Sequence, residues 1–282
     1  MIVKSKKGPY EMSKIQLILS DVDGTLLDPH HQITSNSKSI VKQLNEKGIE
    51  LVLASARAPK AMDFLATELG LSSPMVCFNG SLIIQKKAGH FVDLYSLPLK
   101  AHDLAILYEL ISSQFAEISF NIYAKDQWLV DKKGYWERQE AKITTIMPRI
   151  IDFEDYIKGN KPVNKILCMG KENEIDRLQD RIQGLALPSI SVNKSKSTYL
   201  EIVHKEVSKL RALQLLTEKR SLSMVNTLAI GDNYNDLPMI QHAGVGIAMG
   251  NAPQDVKQAA DIIAPTNAEN GFYYGLLDAL AI

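Results

Sequence analysis

Short apolar runs alternate with segments of helical periodicity at both ends of this chain. Apolar runs of four to seven residues bounded by turn residues predict buried strands, and apolar positions three and four residues apart predict amphipathic helices. In the first part the predicted strands are 15–21, 49–55 and 74–79, and the predicted helices are 35–48 and 58–69. In the last part the pattern predicts helices at 208–220, 236–244 and 253–260, strands at 227–232, 245–250 and 261–265, and a final helix. Strands that alternate with helices are typical of a parallel sheet, so we expect an α/β fold with a Rossmann-like, doubly wound sheet.

The middle of the chain has a different texture. Between about 85 and 195, longer helical segments surround the strand-like runs HFVDLY, AEISFNIYA and NKILCMG. This change predicts an inserted α/β domain. The expected organisation is an N-terminal tail at 1–14, a core formed by 15–84 and 196–282, and the inserted domain at 85–195.

Polar residues follow several of the predicted parallel strands. The carboxyl ends of such strands meet at one edge of the sheet, so residues that are distant in sequence converge there. The converging residues are Asp21 and Asp23 after the first strand, Ser55 after the second, Lys209 at the start of a helix, and Asp232, Asn235 and Asp236 after 227–231.

Four carboxylates in one pocket need positive charge, and Lys209 is the one cation in this set. Burying two aspartates that are separated by a single residue is unfavourable unless a cation or a shared proton relieves the repulsion between their carboxylates. Residues two apart on an extended chain point to the same side, so Asp21 and Asp23 should both face the pocket while Val22 points into the core. Mg²⁺ suits a site of a few carboxylates and water, and is the predicted cofactor.

The overall composition narrows the possible partners. The chain has 282 residues, 45% of them hydrophobic, and its 32 basic residues equal its 32 acidic ones. Without a basic field, we predict no nucleic-acid or membrane partner and a small molecule as ligand; no oligomeric state is predicted. The start of the chain lacks the apolar core of a signal peptide, and no segment reaches the ~18 apolar residues of a membrane span, so a cytoplasmic protein is expected.

Five short motifs then carry a resemblance to a known family. DVDGTLL at 21–27, LASAR ending at Arg57, FNGSLI at 78–83, Lys209 and GDNYNDLPMI at 231–240 resemble, in order and spacing, the motifs of the haloacid dehalogenase superfamily. The tail at 243–271 further resembles its Cof-type branch, the sugar-phosphatase-like hydrolases with a large α/β cap between the second and third motifs.

The resemblance implies a role for each motif residue. Asp21 would be the nucleophile that forms an aspartyl-phosphate, and Asp23 would be the general acid and then the general base. Mg²⁺ would be held by Asp21 and Asp232, with the backbone carbonyl of Asp23 as a further ligand and Asp236 close by. The phosphoryl group would be bound by Ser55, the N–H of Ala56, Asn235 and Lys209, the last also neutralising charge in the transfer.

The function expected from this resemblance is a Mg²⁺-dependent phosphatase that hydrolyses small cytosolic phosphomonoesters, such as sugar phosphates. A phosphomutase with the same intermediate, or a non-catalytic protein that binds phosphorylated metabolites, stays open as an alternative. Two positions depart from the family pattern, because Ala56 and Leu210 stand where glycine is frequent. Each adds a side chain near the site, and a methyl group at Ala56 should be tolerated if its φ is negative.

Overall fold

The computed structural model describes residues 15–281, and the predicted tail at 1–14 lies outside them. The strands are β1 (Leu17–Asp21), β2 (Glu50–Ala54), β3 (Met75–Cys77), β4 (Leu82–Lys87), β5 (His90–Ser96), β6 (Ser119–Ala124), β7 (Gln127–Val130), β8 (Arg149–Ile150), β9 (Lys165–Met169), β10 (Ile190–Lys196), β11 (Tyr199–His204), β12 (Thr227–Gly231), β13 (Val245–Ala248) and β14 (Ile262–Ile263). The helices are α1 (Ser35–Glu46), α2 (Pro59–Glu68), α3 (Ala101–Gln114), α4 (Tyr135–Thr144), α5 (Phe153–Lys158), α6 (Glu172–Gln183), α7 (Lys209–Lys219), α8 (Leu237–His242), α9 (Gln254–Ala259) and α10 (Gly271–Leu280).

The described residues form two compact units. The first contains residues up to 56, residues 62–92 and residues from 208 onward, and the second contains 57–61 and 93–207. Apart from the short segment 57–61, the chain passes between the units after residues 92 and 207, further along than the expected boundaries at 84/85 and 195/196. The reason is pairing: β4 and β5 extend the sheet of the first unit, and β11 pairs inside the sheet of the second.

The sheet of the first unit has the order β14-β13-β12-β1-β2-β3-β4-β5. The pairs from β14 to β3 are parallel, and the strand order runs outward in both directions from β1, which confirms the predicted doubly wound topology. β1 is buried along its whole length. Its carboxyl end lies where the strand order reverses, which is where open α/β sheets bind their ligands.

The far edge of this sheet is not parallel. β4 pairs antiparallel with β3, because the turn of residues 78–81 between them is too short for a crossover connection. β4, which crosses the expected boundary at 84/85, and β5, which was expected in the inserted domain, are thus added to the edge of the parallel sheet.

The sheet of the second unit has the order β10-β11-β9-β6-β7-β8 and is antiparallel except for the β7–β8 pair. Alternate residues on one face, among them Phe120, Ile122 and Ile166, pack with residues of α3, α5 and α6 into one apolar core. The rings of Tyr108, Phe120 and Phe153 meet there with centroids 5.5–5.8 Å apart. Within 15–281, no helix combines the length and the apolar character needed to cross a membrane.

Candidate active site

Asp21 is the last residue of β1, the strand buried at the centre of the first sheet. Its own backbone is extended (φ −62°, ψ 164°), and the chain then makes a wide turn in which the N–H of Leu27 donates to the carbonyl of Val22 (3.0 Å). Val22 is fully buried, as predicted. Gly24 has φ +81° in this turn, and a Cβ there would collide with the carboxylate of Asp232. Only glycine lets the turn approach Asp232 this closely.

Lys209 is the first residue of α7, and its side chain is completely buried. The hydroxyl of Ser208 caps the helix by accepting a hydrogen bond from the N–H of Arg211 (3.0 Å). The backbone of Ser208 packs against Gly80, whose φ of +110° and missing side chain permit the contact. The ammonium group of Lys209 donates to the carboxylates of Asp21 and of Asp236, the latter at 2.6 Å.

Asp236 holds the loop after β12 together. Its Oδ2 accepts hydrogen bonds from the N–H groups of Asp232 and Asn233, both at 3.0 Å, while its Oδ1 accepts from Lys209. Both oxygens of this fully buried carboxylate therefore have donors within the protein. Asp236 fixes the positions of Lys209 and of the loop that carries Asp232.

The charges in this cluster perturb one another. Burial, and then the charge of Asp236, raise the pKa of Asp21 well above its ordinary value. Burial and Asp236 also raise the pKa of Asp232. Burial alone would lower the pKa of Lys209, but the charges of Asp21 and Asp236 outweigh it and raise that pKa. The lysine remains a cation, and the carboxylates carry more negative charge than it can balance.

The donor set fits a divalent cation. One carboxylate oxygen from each of Asp21, Asp232 and Asp236 can be chosen so that all three lie within 4.8 Å of one another. Three carboxylates and one ammonium leave two negative charges, which one divalent ion would neutralise. Hard cations prefer such oxygen ligands, and a site with few carboxylates leaves room for the waters that Mg²⁺ retains. The hydrogen bonds to the fully buried Asp236 are short, 2.6–3.0 Å, whereas those to the half-buried Asp232 are longer, at 3.2 Å. Asp21 and Asp232 would therefore be the better direct ligands.

Asp23 lies outside this group of three carboxylates. Its side chain is 44% exposed, with Oδ1 3.8 Å from the Nδ1 of His31. The hydroxyl of Ser55 donates to Oδ2 of Asp23 over a long 3.5 Å. Asp21 and Asp23 thus occupy different environments, one buried against an ammonium group and the other at a solvent-accessible rim.

The remaining predicted phosphate-binding residues are near the ends of neighbouring elements. Ser55 follows β2, and its backbone N–H donates to Val76 while its carbonyl accepts from Asn79. Asn235 donates through its side-chain amide to the Oδ1 of Asn79 (3.2 Å). Ala56 does not have a positive φ, so its methyl group causes no backbone strain of the kind that glycine relieves. Leu210 is half-buried at the start of α7.

The structure adds three residues to which the sequence analysis gave no role. The hydroxyl of Thr25 donates to Oδ1 of Asp232, and the amide of Asn251 donates to its Oδ2, both at 3.2 Å. The same amide also donates to the carbonyl of Gly24 (3.0 Å), and the N–H of Asn267 donates to the Oδ1 of Asn251 (3.0 Å). Asn251 lies in the turn after β13. Like Asp232 it is a polar residue that follows a parallel strand, and this position is a signal by which the sequence could have identified it.

Comparison with known proteins identifies the family of this chain. The family model described as haloacid dehalogenase-like hydrolase matches residues 18–276, nearly all of the described chain. The chain belongs to this family of hydrolases. The resemblance predicted from the five motifs is therefore confirmed, and the Asp21–Lys209–Asp236 cluster is the candidate active site of this hydrolase.

Relatives of this hydrolase match over nearly their full length. A Haemophilus influenzae protein named "Putative phosphatase" is 30% identical over 255 residues, which cover 90% of this chain and 94% of that protein. A Bacillus subtilis protein named "5-amino-6-(5-phospho-D-ribitylamino)uracil phosphatase YcsE" is 28% identical, covering 91% of this chain and 92% of its own. The crystal structure of a haloacid dehalogenase-like hydrolase from Bacteroides thetaiotaomicron superimposes with a TM-score of 0.84 at 31% identity, over 94% of this chain and 99% of that one.

Proposed function

We propose that this hydrolase is a Mg²⁺-dependent phosphatase that releases phosphate from small phosphorylated metabolites, sugar phosphates among them, through an aspartyl-phosphate at Asp21. The names of its relatives support phosphatase activity. The observation that carries the mechanism is the contact of Asp21, at the end of the central strand, with the buried ammonium of Lys209.

Asp21 acts as the nucleophile. Its carboxylate oxygen attacks phosphorus in line with the ester oxygen, a bond from Asp21 to phosphorus forms, and the bond from phosphorus to the substrate oxygen breaks. Lys209 orients this carboxylate and remains protonated, so it also neutralises charge on the transferring group. Water then attacks phosphorus, the bond to Asp21 breaks, and phosphate is released.

Asp23 moves the protons. In the first step its protonated carboxyl gives a proton to the leaving oxygen, and in the second its carboxylate takes one from the attacking water. Its partly exposed position, in contrast to that of Asp21, supports this role, because a group that exchanges protons with leaving alcohol and water needs access to both.

The phosphoryl oxygens are bound by Ser55, the N–H of Ala56 and Asn235, which follow β2 and β12. Asp21 and Asp232 would hold Mg²⁺, with the carbonyl of Asp23 as a further ligand, and Asp236 positions the loop that carries Asp232. The bound ion would supply positive charge next to the nucleophile and the phosphoryl oxygens.

A phosphate-release assay on a panel of phosphorylated metabolites with Mg²⁺ tests this proposal. Asp21→Asn should abolish turnover, because an amide is a poor nucleophile, and borohydride reduction during turnover should label Asp21 only in the unchanged protein. Normal turnover by that variant would refute the covalent mechanism. Isomeric phosphosugars instead of free phosphate would identify a phosphomutase, and tight binding without turnover would identify a binding protein.

We also propose that the inserted segment, expected at 85–195, acts as a cap that selects the substrate. In support, none of the proposed catalytic, phosphate-binding or metal-binding residues belongs to this segment. Substitutions in it should change the ranking of metabolite substrates and leave hydrolysis of an activated aryl phosphate unaffected. Equal losses for both kinds of substrate would contradict this division of labour.

A further inference from the structure

A separate cavity lies in the second unit, at the hairpin that joins β6 and β7. Its volume is about 250 Å³, just below the ~300–1,000 Å³ usual for small-molecule sites. Its polar wall includes Lys125, Arg149 and Lys161, and its apolar wall includes Leu129, Ile151 and Tyr156. No residue of the Asp21 cluster lines it.

The cavity carries excess positive charge. Lys125 is paired with Asp93 at 2.6 Å, and Asp126 is the one acidic residue of the lining. Within residues 15–281, Arg149 and Lys161 make no ion pair with a carboxylate, and the ammonium of Lys161 lies 5.3 Å from the ring centroid of Tyr156. An arginine fork and an ammonium group without carboxylate partners suit a phosphate or carboxylate group.

The positions of these residues follow from the sheet. Arg149 is the register partner of Leu129 in the parallel β7–β8 pair, so both side chains are on the face that carries the apolar core. Ile151 and Tyr156 pack against the same core from beyond β8. The cationic groups of the cavity thus stand beside a fixed apolar wall.

The hairpin itself has an unusual backbone. Lys125 has φ +52° in the two-residue turn between Ala124 and Gln127, a position where glycine or asparagine is preferred. Its N–H donates to Oδ1 of Asn164 (3.0 Å), which holds the turn in this conformation.

We propose that this cavity binds a small organic anion, with its phosphate or carboxylate group on Arg149 and Lys161 and its apolar part against Tyr156 and Leu129. The site is independent of the proposed phosphatase mechanism, because no catalytic residue takes part in it. Its ligand is bound and not transformed.

Backbone amide NMR of the full chain can test the site residue by residue. The probes are phenylphosphonate, which lacks a hydrolysable ester, inorganic phosphate and benzoate, each titrated in chelator. Phenylphosphonate should shift the amides of 124–129, 149–151 and 156–161 in a saturable way and at lower concentration than inorganic phosphate. Shifts at 21–25 report binding at the Asp21 cluster and provide an internal reference.

The double variant Arg149→Ala/Lys161→Ala should weaken binding at the cavity by about tenfold or more and keep the shifts at 21–25. Arg181→Ala is the matched control, since Arg181 is an exposed arginine of α6 in the same unit. Shifts that grow linearly without saturation, equal binding by the double variant, or equal loss in the control would overturn the proposal. Equal affinity for phenylphosphonate and inorganic phosphate would overturn the role of the apolar wall.

Discussion

Removing the negative charge of Asp21 should stabilise the metal-free protein. Asp21→Asn keeps the size and shape of the side chain and replaces the carboxylate by a neutral amide. The raised pKa of Asp21 indicates that its ionised form is unfavourable in the folded, metal-free state. The variant removes this unfavourable ionisation and should therefore unfold at higher temperature than the unchanged protein in chelator.

The size of this effect follows from the geometry of the cluster. The carboxylate oxygens of the cluster lie within 4.8 Å of one another. Two unit charges 4.8 Å apart repel by about 3.5 kcal/mol at an effective dielectric constant near 20. Asp21 has two such neighbours, and its direct contact with Lys209 offsets much of their repulsion. The cost of burying the carboxylate then remains, and because the pKa of Asp21 is raised well above its ordinary value, the amide should stabilise the metal-free protein by about 1.4 kcal/mol or more, the free energy of one pKa unit.

Excess Mg²⁺ should reverse this difference, so that the unchanged protein unfolds at a higher temperature than Asp21→Asn. A ligand at a hundred times its dissociation constant stabilises the folded state by about 2.7 kcal/mol, and only the protein with an intact carboxylate gains this fully.

The pH dependence of the contribution of Asp21 to stability has a defined sign. Because the folded pKa of Asp21 is raised above its ordinary value of 3.8, the folded state holds the proton longer than the unfolded state, and the contribution of Asp21 to metal-free stability falls as pH rises above about 4. Asp21→Asn should remove this part of the pH dependence.

Differential scanning calorimetry in chelator and in excess Mg²⁺ measures this directly and resolves the transitions of the two units. Each kcal/mol corresponds to roughly 2–4 °C for a unit of 150–250 residues. Asp278→Asn, a substitution of an exposed aspartate in α10, should leave both the melting temperature and the Mg²⁺ response unchanged. A lower melting temperature of Asp21→Asn in chelator, or an equal Mg²⁺ response in both proteins, would refute this account of the cluster.

Three further substitutions test the roles of individual residues. Asp23→Ala should reduce turnover by about 10²–10⁴-fold with alkyl phosphates and less with an activated aryl phosphate, and an equal loss with both would assign Asp23 to positioning. Lys209→Met should lower the free energy of unfolding by about 3–5 kcal/mol at neutral pH and by less in acid, where Asp21, whose pKa is raised, becomes protonated; a pH-independent loss in denaturant titrations would argue against the buried Lys209–Asp21 pair. Asn251→Ala should weaken Mg²⁺ activation by about 10–100-fold in an activity titration, because Asp232 loses a hydrogen bond, and an unchanged Mg²⁺ midpoint would contradict this role.

Much of the fold and of the candidate site could be predicted from the sequence. The periodicity predicted the helix 208–220, observed as α7, and the strand 227–232, observed as β12, because each buries a regular apolar pattern. Parallel topology makes the carboxyl ends of the strands neighbours, so the sequence also predicted that Asp21, Lys209 and Asp236 lie close together.

Other features depend on contacts that local pattern does not encode. The β10 strand is mostly exposed, and only Ile190 and Val192 of its seven residues are apolar. Its pairing with β11 makes it a strand, and its own sequence gives only a weak apolar signal. The shared hydrogen bonds of Asn251 with Gly24 and Asp232 depend on the packing of two turns more than 200 residues apart. The occupation of both Asp236 oxygens likewise follows from the conformation of its loop, which the sequence alone does not specify.

The position of β1 between β2 and β12 has a consequence for synthesis of the protein. Residues 17–21 leave the ribosome well before 227–231, their second neighbour in the sheet, and the Asp21–Lys209 contact spans 188 residues. Until β12 has been made, one edge of this apolar strand has no partner and is open to pairing with other chains. Chaperone protection of the nascent chain should therefore matter most before β12 emerges, and truncation ahead of β12 should yield aggregates without activity.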